Sequence, residues 1–580
     1  MKKCFLLALL ISLLNLSIHG QDTVPHVKGT VTISVQSGTI ACDLVLSNMP
    51  QLSDYYFRLN AGMNIHYIKN AEPNMLPLRY ERSFADTLSS GESLAYFIPS
   101  FSASGKYLPQ SVRFRYTGMY PVITDTSSAV DWRGNIAFNG KTLRADGIQS
   151  AWVPILYDIT TDKRYENVTY DLSITCADCK TIYVNGSKPV SGTVANVSSN
   201  TPQDLTMFAG DFTSVSVNGN YFLNQDASEV QLRQLEGRLA RFQSYLETKL
   251  GIPYKGKAVY IQTTPVSKNN SWLFASYPTI VNVSWGEGMK AFANKNTGSD
   301  FLQFMAHELA HYYFGKVRSF NSAIGSVLSE GFAEFLALKI TRNLIGENEY
   351  REKMNDKAQA MDNLRPLPLQ IIRSEADYGN RQLYVYDYAP LVFLAIEKEI
   401  GEEKMWAWIK SLLLTPAVRT DYAFFEQTLE KAVADKTMFN SLREKYLHSG
   451  KSLQNIVSTL QISTGTVAAA NTQTPVAKTY YYFIFSRPMT DIGSSQNKTI
   501  AHTAVTKLTC LPSEFIDRVS ATARKVKEAC TNAAGSTNDI NSYNTLEEAQ
   551  AALKAWLARY NKSGTMQVKT INHETTANPF

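Results

Sequence analysis

The chain has 580 residues, 44% apolar by type and 19% charged, and its 57 basic and 51 acidic side chains leave a formal net charge of +6. With 7 Trp, 31 Tyr and 27 Phe and a charged fraction below the usual ~25%, disorder of the whole chain is excluded. No block of Lys and Arg stands out, so no nucleic-acid partner is expected, and at roughly 150 residues per domain the length implies about three or four domains.

Met1-Lys2-Lys3, the apolar run from Phe5 to Leu16 and the polar, small-residue end Ser17 to Gly20 have the layout of a secretory signal peptide over residues 1–20. Its cleavage would place the mature chain outside the cytoplasm, secreted or periplasmic. The run is shorter than the ~20 apolar residues a bilayer span requires, and no later segment reaches that length, so no transmembrane segment is expected. Cys4 leaves with the signal.

Residues 21–211 read as an N-terminal antiparallel β domain. Val27, Val31, Ile33 and Val35 alternate with Lys28, Thr30, Thr32 and Ser34, and similar short runs recur at Tyr55 to Leu59, Trp152 to Tyr157 and Tyr170 to Thr175 between turn residues. In an oxidising compartment Cys176 with Cys179, and Cys510 with Cys530, are reasonable disulfide pairs, which leaves Cys42 as a buried thiol. A zinc site at Cys176 and Cys179 lacks further thiol or imidazole partners at finger spacing.

The period changes near Tyr221. Ser228 caps a helix whose Leu232, Leu235, Leu239, Phe242, Leu246 and Leu250 recur every three or four residues and which stops at Gly251. Strands follow at Lys257 to Thr263 and Trp272 to Trp285, within a catalytic region spanning 212–350; helices then continue over 351–462. Residues 463–478 form a linker rich in Thr, Ala, Gly and Pro. Beyond it, 479–580 read as a small α/β domain, with strands at its two ends and helices from Ser513 and Thr545, and with no motif that names its partner.

The chemistry concentrates in Phe301 to Gly315, which contains His307-Glu308-Leu309-Ala310-His311. Ser299-Asp300 in front and Gly315 behind predict one helix of about four turns. Imidazoles four residues apart lie one above the other on a helix and can share one metal ion, while Glu308 beside the first is placed to act as general base on the metal's water. Chance supplies such a triplet about 0.01 times in a chain of this composition. Eighteen residues after His311 stands Glu330, in a second helical pattern, Ser326 to Leu336. Two imidazoles and one carboxylate leave a fourth position for water, the layout of a catalytic zinc site and not of a closed structural one. Glu334, one turn beyond Glu330, is positioned to hold the far nitrogen of a ligating histidine.

HELAH, eighteen residues and then EGFAEF resemble the gluzincin zinc peptidases of the aminopeptidase N family. The resemblance covers roughly residues 25–450 and implies a saddle-like N-terminal β domain, a thermolysin-like zinc domain with a helical continuation, and one Zn²⁺ held by His307, His311 and Glu330. Val385-Tyr386-Asp387-Tyr388-Ala389 resembles the family's Val-Tyr-x-Lys-Gly segment, whose tyrosine donates to the oxyanion; the matching residue is Tyr386.

Three departures matter. The family's aminopeptidases carry a Gly-x-Met-Glu-Asn strand whose glutamate holds the substrate's free amine; here Trp272 to Ser284 contains no carboxylate, and the nearest acid is Glu287. Ser329 stands where the family has Asn, and Tyr388-Ala389 where it has Lys-Gly. The expectation is a multidomain α+β, secreted zinc metallopeptidase acting on peptide or protein substrates, without the usual amine countercharge. Its alternatives are an endopeptidase or amidase of blocked or modified peptides, and a non-catalytic zinc-stabilised binding protein.

Overall fold

The computed structural model describes residues 23–72, 74–83, 92–100, 105–124, 134–263, 272–283, 290, 298–361, 364–462, 478–487, 498–510, 515–530, 539–561 and 566–572. The signal segment, Glu287 and residues 463–477 of the expected linker lie outside the described residues. The chain divides into two compact units, Met1–Val467 and Ala468–Phe580.

The first unit begins with three β-sheets. Six strands (194–203, 168–176, 26–34, 39–47, 112–119, 63–70) form one sheet, and two five-stranded sheets follow. Alternation places Val27, Val31 and Ile33 opposite Leu46, Cys42 and Ile40, all inside one apolar core. Burial there pushes the Cys42 thiol up to about 12. Among the described strands here pairing is antiparallel except that His26–Ser34 and Val168–Cys176 run parallel, and an isolated bridge joins Val122 and Phe138 in parallel, so the expected antiparallel domain is mixed. Their separation along the chain explains this, since a parallel pair needs a long connection. The run from Trp152 becomes a strand only at Ile155. Cys176 and Cys179 are joined by a disulfide.

Helix α1, Glu229–Leu250, forms as its sequence dictates. Ser228 and Gln231 make a reciprocal capping box, Gly251 ends it at φ 63°, and its six apolar residues from Leu232 to Leu250 are all buried. It connects strands 220–223 and 259–263, parallel neighbours in a five-stranded sheet ordered 214–217, 220–223, 259–263, 279–283, 272–276. The run from Trp272 to Trp285, expected as one strand, is a hairpin instead: Trp272–Ser276 pairs antiparallel with Thr279–Val283, and the Tyr277-Pro278 step turns the chain. Trp272–Ser276 is therefore the sheet's edge.

Helices fill the rest of the unit: α2 (Gly298–Ala310), α3 (Phe332–Ile340), α4 (Glu347–Ala360) and α5 (Ala389–Ile400), then four more to Leu460. One apolar core runs from Val217 to Ile456, with the Phe332 ring stacked 3.9 Å from that of Phe393 and 4.9 Å from that of Phe314. The expected zinc helix begins earlier, at Gly298, and ends earlier, at Ala310. Ser299 and Asp300 lie within its first turn instead of ahead of it, and the chain leaves helical geometry at Phe314 (φ −96°, ψ 64°) and Gly315. No helix among the described residues is long and apolar enough to cross a membrane.

Among its described residues the second unit has five strands, three more than expected, with Lys478–Ser486 pairing three neighbours. Tyr482 and Ile484 on one face of that strand pack with Val519 and Val526 of helix Phe515–Glu528; Phe483 and Phe485 on the other meet Leu553 and Trp556 of helix Leu546–Asn561. The expected second disulfide does not form. Cys510 ends a strand, and the Cys530 thiol donates to the Thr499 carbonyl at 3.0 Å.

Candidate metal centre

Helix α2 and the segment running into α3 lie against each other, and three side chains converge between them. His307 Nε2 stands 3.1 Å from His311 Nε2 and 3.3 Å from Glu330 Oε2, and His311 Nε2 stands 3.2 Å from the same oxygen. Nitrogen and oxygen ligands of tetrahedral zinc lie about 2.0–2.1 Å from the ion, which puts neighbouring donors about 3.3–3.4 Å apart. The triangle fits a zinc ion, and its donor set of two imidazoles and a carboxylate leaves a fourth position open.

The far edge of each imidazole settles which nitrogen faces the triangle. His307 Nδ1 lies 2.9 Å from Glu334 Oε2 and His311 Nδ1 lies 3.1 Å from the Phe314 carbonyl. An ionised carboxylate and a carbonyl only accept, so both Nδ1 atoms donate and both Nε2 atoms point inward. The early end of α2 now has a purpose. Unwinding at Phe314 turns its carbonyl toward His311, and Ser329, where the resembled family has Asn, donates to the same oxygen at 3.1 Å.

Electrostatics follow from this packing. Burial disfavours charge on Glu330, but His311 and His307 outweigh it and hold its carboxyl well below the usual range. Burial likewise opposes ionisation of Glu334, yet Lys357 and His307 bring it down to about 2. Glu308 differs. It is buried, takes no part in the triangle, and burial raises its carboxyl despite both histidines; the Ala275 backbone of the edge strand hydrogen-bonds it.

The three tyrosines of Leu383–Tyr388 separate because the segment is helical. Tyr384 and Tyr388, one turn apart, enter the core and bond the Leu367 carbonyl at 2.7 Å and the Ser452 hydroxyl at 2.6 Å. Tyr386 faces the other way. Its ring lies 5.8 Å from that of His307, its hydroxyl interacts with Glu330 and Arg381, and burial raises its pKa above the ordinary tyrosine value.

The structure thus brings together all six residues singled out from sequence: His307, Glu308, His311, Glu330, Glu334 and Tyr386. It adds three that sequence reasoning missed. Gln303, one turn before His307 on α2, donates to Glu334 at 2.9 Å; Arg381 donates to the Ser326 hydroxyl at 3.0 Å and flanks Tyr386; Lys357 bonds Glu334 at 2.7 Å. Helical spacing from His307 was the one signal available, and it points only to Gln303.

No protein-family model matches the chain, and no curated protein does. Solved structures do. An M1 zinc metallopeptidase from Deinococcus radiodurans, a mutant bound to a Tyr-Ser-Ala substrate, is similar at 15% identity and a TM-score of 0.50, covering 73% of this chain and 94% of that one. Native yeast LTA4 hydrolase is similar at 13% identity and a TM-score of 0.54, covering 76% and 72% of the two chains. At these identities the likeness is one of fold: a multidomain α+β architecture with an N-terminal β part and a helical continuation.

Proposed function

We propose that the chain is a zinc-dependent peptidase, exported by its N-terminal signal segment and hydrolysing peptide bonds with an activated water. The observation that carries this reading is the donor triangle of His307, His311 and Glu330, with edges of 3.1–3.3 Å and Glu308 beside it. Zinc held there supplies a Lewis acid for the scissile carbonyl and lowers the pKa of a bound water toward ~7. Glu308 takes the proton of the attacking water and delivers it to the leaving nitrogen; its raised pKa brings it closer to the working pH of a general base. The Tyr386 hydroxyl donates to the oxygen on which negative charge develops. Burial keeps that hydroxyl protonated across the working range.

One observation favours a second reading within the same chemistry. The edge strand and its hairpin partner, Trp272–Val283, contain no carboxylate, so the countercharge that would select a free N-terminal amine is missing from that strand. An endopeptidase, or an amidase acting on blocked peptides, needs no such group.

Hydrolysis of matched free and N-acetylated peptides, with and without a chelator, tests both readings. Chelator-reversible cleavage is expected, with acetylated peptides accepted; a strong preference for free amines would restore an aminopeptidase. Glu308→Gln is expected to keep its zinc and lose activity by a factor of about 10²–10⁴. Undiminished turnover in that variant would sink the mechanism.

A further inference from the structure

We propose that Lys357 is a positioning residue that locks the orientation of His307 and of Tyr386 through one ammonium group, an inference that rests on the zinc-peptidase reading. Lys357 belongs to α4, a helix whose outward side chains are mostly polar and whose inner stripe is Met354, Lys357 and Ala358. At 8% exposure its charge has been taken out of water, which costs several kcal/mol unless every proton finds a partner. All three do. Nζ lies 2.7 Å from Glu334 Oε1, 2.8 Å from the backbone carbonyl of Tyr386 and 3.4 Å from Asp387 Oδ1.

Each contact acts on a different part of the site. Glu334 accepts from Lys357 and Gln303 on one oxygen and from His307 Nδ1 on the other, so Lys357 fixes the carboxylate that fixes the imidazole. The bond to the Tyr386 carbonyl pins the helical turn from which that tyrosine reaches toward Glu330. Lysine suits the position because a compact point charge reaches three converging acceptors that a planar guanidinium would not.

Zinc affinity, measured by competition between Zn²⁺ and a chromophoric chelator, reads the first arm without reference to turnover. Lys357→Met should raise the zinc Kd about 10–100-fold, as should Glu334→Gln. Steady-state kinetics read the second arm: kcat of Lys357→Met should fall about tenfold or more with KM moving less than threefold. In a Tyr386→Phe background that further fall in kcat should disappear, because the two residues act as one unit. Lys357→Met leaves Glu334 with one cation fewer, so a second variant pairs Lys357→Met with Glu334→Gln to keep the charge balanced; its kcat should lie below that of Glu334→Gln alone only when Tyr386 is present. A wild-type zinc Kd in folded Lys357→Met, or a kcat loss that persists undiminished without the Tyr386 hydroxyl, would overturn the proposal. Should the wild-type chain bind zinc and cleave no peptide, the peptidase reading fails by itself and the zinc arm alone decides the role of Lys357.

Discussion

In the zinc-free protein burial works against a charge on His307, yet Glu330 and Glu334 raise it from 6.5 to about 10. A histidine raised in the fold lends stability that is complete below its unfolded value of 6.5 and is lost as pH climbs through about 10. Glu334 has the opposite sign: its contribution is complete above 4.5 and is lost as pH falls through about 2. The zinc-free protein is thus best served by these groups between pH 4.5 and 6.5. Zinc must displace the inward proton of His307, so its affinity should rise roughly tenfold per pH unit over the window in which that proton is still bound. Chelator competition at pH 6, 7 and 8 measures the slope. A flat profile would mean that His307 Nε2 carries no proton to displace, contrary to the raised affinity derived from Glu330 and Glu334.

The elements that carry the site are held at close quarters around one glycine. Gly331 follows Glu330, and a Cβ added there would lie 3.0 Å from the Ala389 Cβ and 3.2 Å from the Phe393 ring, both on α5. Helix α5 continues directly from the Tyr386 segment, so Gly331 sets how near the glutamate ligand and the tyrosine can approach. Gly331→Ala should cost about 1–3 kcal/mol through overpacking, read as a lower denaturation midpoint, and should lower kcat because Glu330 and Tyr386 move apart. An unchanged midpoint and unchanged kcat would show that α5 yields freely. Legibility at this scale followed locality. The α1 stripe, its capping box and Gly251 depend on residues within a turn of each other, and all were readable from sequence. The HELAH spacing was readable for the same reason. Lys357 was not, because a lysine on a polar helix looks solvated until tertiary packing brings Glu334 and the Tyr386 carbonyl to it. The unwinding at Phe314 leaves its carbonyl accepting from both His311 and Ser329, an arrangement that no local propensity encodes. Cys510 and Cys530 had suitable spacing, but spacing alone does not bring two thiols into bonding geometry.

For the whole chain, the division into Met1–Val467 and Ala468–Phe580 bears directly on where function resides. Every residue of the donor triangle and every partner found for it, from Gln303 to Tyr386, belongs to the first unit. The apolar core beneath the site closes within that unit as well, with Ile456 of the last helix packed into it. The second unit has its own sheet and its own apolar clusters on both faces of strand Lys478–Ser486. A chain ending at Ile462 should therefore keep the zinc affinity, kcat and thermal midpoint of the first unit, while losing whatever binding the second unit provides. Zinc titration and peptide hydrolysis on the shortened protein check this. If the shortened chain folds and binds zinc but loses kcat/KM, the second unit contributes to substrate recognition. If it loses zinc as well, the metal centre depends on residues beyond the contacts described here, and the assignment of catalysis to the first unit is wrong.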